Sequence, residues 1–263
     1  MAFYHSTHHP VGIMKNTSSL VFHRQTNPAR QRGVALFVVI VFVMLSMLLA
    51  LWAARSSLFN EILVGNDADY QRTFEAAQAM LQDAELDIRG AKPDGSACTP
   101  VSGKTDVCRV GTTVYFDIET KDLANLLATI ATTKPDVSCY KGICSKRAGS
   151  QDFWNDSTTL TKMTDTDIGA RYGQFTGADA ATTANPILAN TNAGEGAWYW
   201  VEMMPYMDPN IALMSGMPPG ANVARLAPAS NKRFIYRITA LALGNKPGSE
   251  VVLQSTLSIQ KAE

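Results

Sequence analysis

The chain has 263 residues, 46% of them apolar and 17% charged, which is enough for a sizeable core and one or two domains and excludes disorder throughout. Its 23 basic and 23 acidic residues exclude a strongly basic nucleic-acid binder. The balance hides an asymmetry: Lys15, Arg24, Arg30 and Arg32 lie in residues 1–33, which hold no acid, leaving 19 basic against 23 acidic residues in the remainder. All four histidines (His5, His8, His9 and His23) lie in that same stretch. Once it is removed, Ser-His-Asp catalysis, Cys-His catalysis and histidine metal ligation are closed to everything downstream.

Residues 34–54 form one apolar run from Val34 to Ala54, uncharged, with Ser46 as its only polar side chain. About 20 such residues cross a hydrocarbon core, and backbone groups in lipid must bond internally, so the run predicts a membrane-spanning helix. Arg24, Arg30 and Arg32 precede it, whereas Glu61, Asp67 and Asp69 follow. By the positive-inside rule the N-terminus is cytoplasmic and the bulk of the chain external. A cleaved secretory signal is the competing reading, with Ala50 to Ala54 as a loose small-residue site. The sequence after the run argues against it.

Beyond Arg55 a heptad-like stripe runs through Phe59, Leu63, Tyr70, Phe74, Ala77, Leu81, Ala84 and Ile88, one face of a continuing helix. Arg72, Glu75, Asp83, Glu85 and Asp87 are expected mainly on the opposite face. Gly65-Asn66-Asp67 is a soft spot where the helix could bend, and Gly90, with Pro93 shortly after, ends it. The spacing predicts a helix from Val34 to Arg89, its membrane half at 34–54 and its amphipathic half at 55–90.

Residues 91–263 are expected to form an external domain. Its first part, 91–150, carries Cys98, Cys108, Cys139 and Cys144. Outside the membrane these face an oxidising compartment, and four cysteines leave three connectivities open. The two local pairs, Cys98/Cys108 and Cys139/Cys144, are favoured because short loops close most readily; the spacing does not suit a zinc site. Residues 151–197 form a polar insertion, rich from 156 onward in Thr, Ala, Asn, Asp and Gly, which reads as a long mobile segment or an irregular cap. Within it Asp165 and Asp167 offer oxygen ligands but fall far short of a calcium set, so a solvated loop and no metal or other cofactor are expected. Residues 198–263 hold the strands: Trp198 to Met204, Arg233 to Leu243 and Val251 to Ile259, the last two joined as a hairpin by Gly244-Asn245-Lys246-Pro247-Gly248. Met203, Met204, Met207, Met214 and Met217 cluster between prolines and suggest an adaptable partner surface or cover for a sheet edge. The expected fold is α+β, a long N-terminal helix packed on a small antiparallel sheet.

A basic leader ending in glycine, then an uncharged helix that becomes amphipathic, resembles the type IV pilins. The resemblance is carried by Arg30-Gln31-Arg32-Gly33 before Val34-Ala35-Leu36, by Asn60-Glu61 and Gly65-Asn66, and by Phe74-Glu75-Ala76-Ala77-Gln78-Ala79. Phe234-Ile235-Tyr236-Arg237-Ile238-Thr239-Ala240 and Val252-Leu253-Gln254-Ser255-Thr256 extend it to the end of the chain. Together they are similar to PilX-type minor pilins. The resemblance implies a pilin-like fold and cleavage of the 1–33 leader by a prepilin peptidase between Gly33 and Val34, with N-methylation of Val34. The leader is long for such proteins, and Met14 is a second possible start. Pilins usually carry Phe first and Glu fifth after the cut; here Val34 and Val38 stand in those places. The fifth-position Glu is thought to neutralise the terminal amine of a neighbouring subunit, which Val38 does not do.

The resemblance further implies a structural subunit rather than an enzyme. It would be anchored singly in the inner membrane with its domain in the periplasm, then placed at or near the tip of a pilus serving adhesion and twitching motility. Its expected partners are other minor pilins, the major pilin and a PilY-type tip adhesin. A tip pseudopilin of type II secretion shares the layout. An anchored external enzyme is disfavoured by the missing histidines and by the absence of GxSxG, HExxH and P-loop patterns. A DNA receptor is disfavoured by the acidic remainder, so no nucleic acid is expected among the partners.

Overall fold

The computed structural model describes residues 32–147, 149–206 and 234–259. The chain divides after Ser57 into two compact units. Helix α1, Arg32–Arg89, enters both. In the first unit its residues stand alone; in the second its C-terminal turns form one layer of an α+β domain. Among the described residues two further helices, α2 (Leu123–Thr133) and α3 (Ser157–Met163), the single turn α4 (Pro186–Ala189) and five strands belong to that domain.

The strands β1 (Cys139–Tyr140), β2 (Ile143–Cys144), β3 (Ala197–Pro205), β4 (Phe234–Leu243) and β5 (Glu250–Leu257) make one sheet in that order. The β3–β4 and β4–β5 pairs are antiparallel, with Trp200 opposite Thr239 and Ala240 opposite Leu253. This much the alternation predicts. However, β2 runs parallel to β3, so the sheet is mixed rather than purely antiparallel. The long connection from Cys144 to Ala197 permits that parallel pairing, while β1 and β2 themselves form a tight hairpin. Lys141 (φ 48°) and Gly142 (φ 78°) both hold positive φ, as a two-residue hairpin turn requires. A Cβ at Gly142 would also stand 2.7 Å from that of Ala170.

Each face of the sheet carries a core. On one, Tyr199, Val201, Met203, Tyr236, Ile238 and Ala240 pack with Ala76, Ala77, Met80, Ala84 and Ile88 of α1. The small alanines let the helix close on the strands. On the other, Trp198, Trp200 and Leu241 pack with Phe153, Met163, Ile168 and the Cys139–Cys144 pair. The segment 156–197 forms an irregular cap: Ile168, Ala170, Phe175, Ile187 and Leu188 are all buried, anchored partly by mutual backbone bonds between Ala170 and Tyr199, each 3.0 Å.

The face of α1 turned to the sheet differs from the predicted stripe. Tyr70 is 50% exposed, and Phe59 and Leu63 are more so, while Asp69, Asp83 and Asp87 are buried. The helix is therefore rotated toward its aspartates, for each of which the rest of the domain supplies donors. No break interrupts α1 at Gly65-Asn66-Asp67. It ends at Gly90 (φ 62°), where Ala91 N–H reaches Leu86 C=O at 2.9 Å and Gly90 N–H reaches Asp87 C=O at 3.1 Å, the paired closure that a left-handed glycine permits.

Candidate functional site

Two regions bear on function: the free half of α1 and a set of buried ionic groups that hold its other half to the domain. In the first unit every large apolar side chain from Val34 to Trp52 is exposed. The Ser46 hydroxyl is satisfied internally, donating to Phe42 C=O at 2.7 Å. Length and composition make this the one helix among the described residues able to cross a membrane. Gly33 lies inside the helix, and Val38 is an exposed apolar side chain on it, 42% exposed.

The second region is built on Asp87 and Arg109. Cys98 and Cys108 are bonded (2.06 Å), and the chain leaves that loop with Cys108 and Arg109 in successive left-handed conformations, φ 58° and 57°. Cys108 N–H donates to Phe175 C=O at 2.8 Å. This geometry turns Arg109 inward. Its Nε donates to Asp87 Oδ1 at 2.9 Å and its Nη2 to Asp87 Oδ2 at 2.6 Å. Nη1 reaches Lys141 C=O at 3.1 Å, and the guanidinium lies between the rings of Phe175 (3.7 Å) and Phe116 (4.7 Å). The Tyr199 hydroxyl donates to Asp87 Oδ2 at 2.6 Å. Burial works against the Arg109 charge, but Asp87 and Tyr199 outweigh it and hold the group protonated above its ordinary range. The Tyr199 phenol is pushed well up by burial and by the Asp87 carboxylate.

The other stripe acids are held in the same manner. Asp83 accepts Gly173 N–H at 2.8 Å and the Thr176 hydroxyl at 2.5 Å. Burial pushes its carboxyl up to about 6, against the pull of those donors. Asp69 accepts the N–H groups of Asn245 and Lys246 in the β4–β5 turn at 3.2 and 3.1 Å. At the second disulfide, Cys139–Cys144 (2.04 Å), Lys141 Nζ pairs with Asp106 at 2.7 Å, and Asp106 also accepts from Gln174. One polar network thus joins the end of α1, both cysteine loops, the cap and β3. Every partner in it is engaged, which describes a scaffold rather than a reacting centre.

Of the other residues singled out in the sequence, Met203 is a core residue, 2% exposed, and is not available as a contact. Its strand neighbour Met204 is half-buried, while Met207, Met214 and Met217 lie outside the described residues. Asp165 and Asp167 do not converge with further ligands: among the described residues no group of three or more metal-binding side chains occurs. Asp83 and Asp87, expected on the outer face of α1, are instead buried, and neither Asp69, Arg109 nor Tyr199 stood out in the sequence as a buried polar partner. Their signal is an acid spaced with the stripe itself, at 69, 83 and 87, and a lone Arg directly after a cysteine.

A long helix, apolar and exposed in its first half and packed into an α+β domain in its second, is the fold of a pilin-class subunit. Two family models match in chain order: the PilX N-terminal model over residues 32–82 and the model of the C-terminal part of the type IV pilus assembly protein PilX over residues 140–259. The chain belongs to the PilX family of type IV pilus minor pilins. No curated protein and no solved structure matches it. The family is structural rather than catalytic, and its members act together with other pilus proteins.

Proposed function

We propose that this chain is the minor pilin that primes pilus assembly and stays at or near the tip. Its leader is cut between Gly33 and Val34, the new Val34 amine is methylated, and α1 holds the subunit in the inner membrane, N-terminus inward and domain in the periplasm, until it is extracted into the fibre. The observation that carries the tip position is Val38. A subunit stacked above would bring its charged amine to this surface, and a buried charge without a partner costs several kcal/mol. Val34 still presents its own amine to a Glu from a subunit added below. The arrangement is therefore tolerable only where nothing sits above, which also leaves the domain free to meet other minor pilins and a PilY-type adhesin and to serve adhesion and twitching.

Mass spectrometry of the mature N-terminus tests the processing: a methylated Val34 is expected, and an intact leader or a cut near Ala54 overturns it. Val38→Glu tests the position. Gold labelling of wild-type pili should mark ends, whereas the variant should spread along the fibre; an unchanged pattern refutes the tip argument.

A further inference from the structure

The two disulfides differ in access and in what depends on them. Cys139 and Cys144 are each 1% exposed and packed with Trp198 and Trp200. Cys98 and Cys108 are only half-buried, and both line a cleft of about 410 Å³ whose walls also include Asp87, Arg89, Arg109 and Phe175. Thiol exchange requires that the attacking group reach a sulfur. Of the two bonds, Cys98–Cys108 is the one open to it.

That bond also closes a ring on the end of α1. On one side Cys98 N–H donates to Gly90 C=O at 2.8 Å; on the other Arg109 holds Asp87 through its bonds of 2.9 and 2.6 Å. Between the cysteines, residues 99–105 are all exposed and Val107 is the single buried member, so apolar packing does little to shape the loop. Yet Cys108 and Arg109 both hold left-handed backbone. Outside glycine that conformation is unfavourable and persists only where the surroundings impose it. The sulfur bridge imposes it from the Cys108 side and the Asp87 carboxylate from the Arg109 side, with Phe175 C=O accepting Cys108 N–H between them. Without the bridge Cys108 is free to relax, and the guanidinium is withdrawn from α1 with it.

We infer that Cys98–Cys108 is a redox latch on α1: closed, it keeps Arg109 on Asp87 and the domain set firmly on the helix; opened by a dithiol, it releases both. Opening is a two-step exchange. One thiolate of the dithiol attacks a latch sulfur, forming a mixed disulfide and freeing the other cysteine. The second thiol then attacks that mixed disulfide, so the reagent leaves as a disulfide and its two protons end on Cys98 and Cys108. The reverse exchange, with an oxidised dithiol as the electron acceptor, closes the latch. The inference is independent of where in a pilus the chain sits, because it concerns one subunit alone.

The test uses the purified full chain in detergent, with dithiothreitol as the dithiol. Alkylation followed by peptide mass analysis should find Cys98 and Cys108 modified at least about tenfold faster than the sealed Cys139 and Cys144. Without alkylation, hydrogen exchange of the amides of residues 84–89 should rise at least about tenfold on reduction, while those of β3 and β4 stay protected, and reoxidation should restore it. The double variant Cys98→Ser with Cys108→Ser should exchange at 84–89 like reduced wild type, with or without dithiothreitol. Arg109→Met should already exchange fast there and gain nothing from the dithiol; if that variant does not fold, the serine pair decides alone. The proposal is overturned if Cys139 and Cys144 open as readily, if exchange at 84–89 is the same before and after reduction, or if β3 and β4 open with it. It is equally overturned if the serine pair behaves as oxidised wild type does, or if folded Arg109→Met responds to the dithiol as wild type does.

Discussion

Replacing Arg109 by methionine is the sharpest test of how α1 is held. The change keeps an unbranched chain between Phe116 and Phe175 and removes the charge. Asp87, its side chain 3% exposed, loses two short bonds, at 2.9 and 2.6 Å, and keeps only the Tyr199 hydroxyl. Stripping one partner from a buried pair of this kind costs about 3–5 kcal/mol, because the remaining carboxylate is left in a dry site without its counter-charge. That is a large share of the 5–15 kcal/mol typical of a folded domain. For comparison, Lys121–Glu119, exposed on both sides, should show no resolvable loss on Lys121→Ala, because water screens the pair. The assay is urea unfolding of the detergent-solubilised full chain, read from tryptophan emission, since Trp198 and Trp200 are each 1% exposed. A loss below about 1 kcal/mol for Arg109→Met would mean that the pair is open to water and that the network does not hold the helix. A triple variant, Asp87→Leu with Arg109→Met and Tyr199→Phe, should recover much of the loss, because no polar group of the three is then left unpaired.

Further outcomes follow from neighbouring groups. Asp83 has its carboxyl raised in the fold to about 6, so the native state holds its proton more tightly than the unfolded chain does. Its contribution is fully present below about pH 4 and is lost as pH rises through about 6, about 3 kcal/mol in all. The difference in stability between wild type and Asp83→Asn, measured from pH 4 to 7, should show that slope, and a flat difference would contradict the burial. Met203→Ala should cost about 2–5 kcal/mol by leaving a cavity in the core, and Met204→Ala clearly less; a larger loss at Met204 would mean that β3 faces the other way. Arg109→Met should be nearly silent when Cys98→Ser and Cys108→Ser are already present, if the Cys98–Cys108 loop is what turns Arg109 inward. An undiminished effect in that background would show that the loop and the ion pair are independent.

Much of the fold was legible because it follows local patterns. The apolar run, the strand alternation around Tyr236 and Ile238, the Gly244–Gly248 turn and the Gly90 stop are each a matter of spacing within a dozen residues. What escaped depends on partners far away in the chain. An aspartate on a helix reads as solvent-facing until its donors are known, and those of Asp83 and Asp87 lie 90 and 22 positions distant or more. β1 and β2 are two residues each, too short to show a period, and their one cue is the glycine of Lys141-Gly142. The apolar residues of the cap, Ile168, Phe175 and Ile187, have no regular spacing and vanish in a polar composition. Met203 and Met204 could have been separated by the alternation that sorts Trp198 from Tyr199; grouping them with the later methionines by composition obscured it.

The placement of the three aspartates answers a problem that apolar packing alone leaves open. The helix face against the sheet is rich in alanine, at 76, 77 and 84, and contact between small smooth residues is non-directional, so the helix could turn or slide with little penalty. Asp69, Asp83 and Asp87 each meet donors on a different part of the domain: the β4–β5 turn, the cap, and the first cysteine loop with β3. Rotation by one residue would break all three sets and leave three carboxylates buried without partners. The ionic groups thus select one setting of α1 against its neighbours, a specificity role that buried polar residues are able to fill at some cost in stability. Pairwise replacement makes this testable. Singly neutralised variants should lose stability but keep one helix setting. The apolar triple variant should regain stability, yet show broadened spectra or faster proteolysis around Gly90 if the setting has become degenerate. Sharp spectra and wild-type resistance in that variant would show that the Asp87 set is dispensable for the setting; adding Asp69→Ala and Asp83→Ala to it then tests whether packing alone fixes the helix.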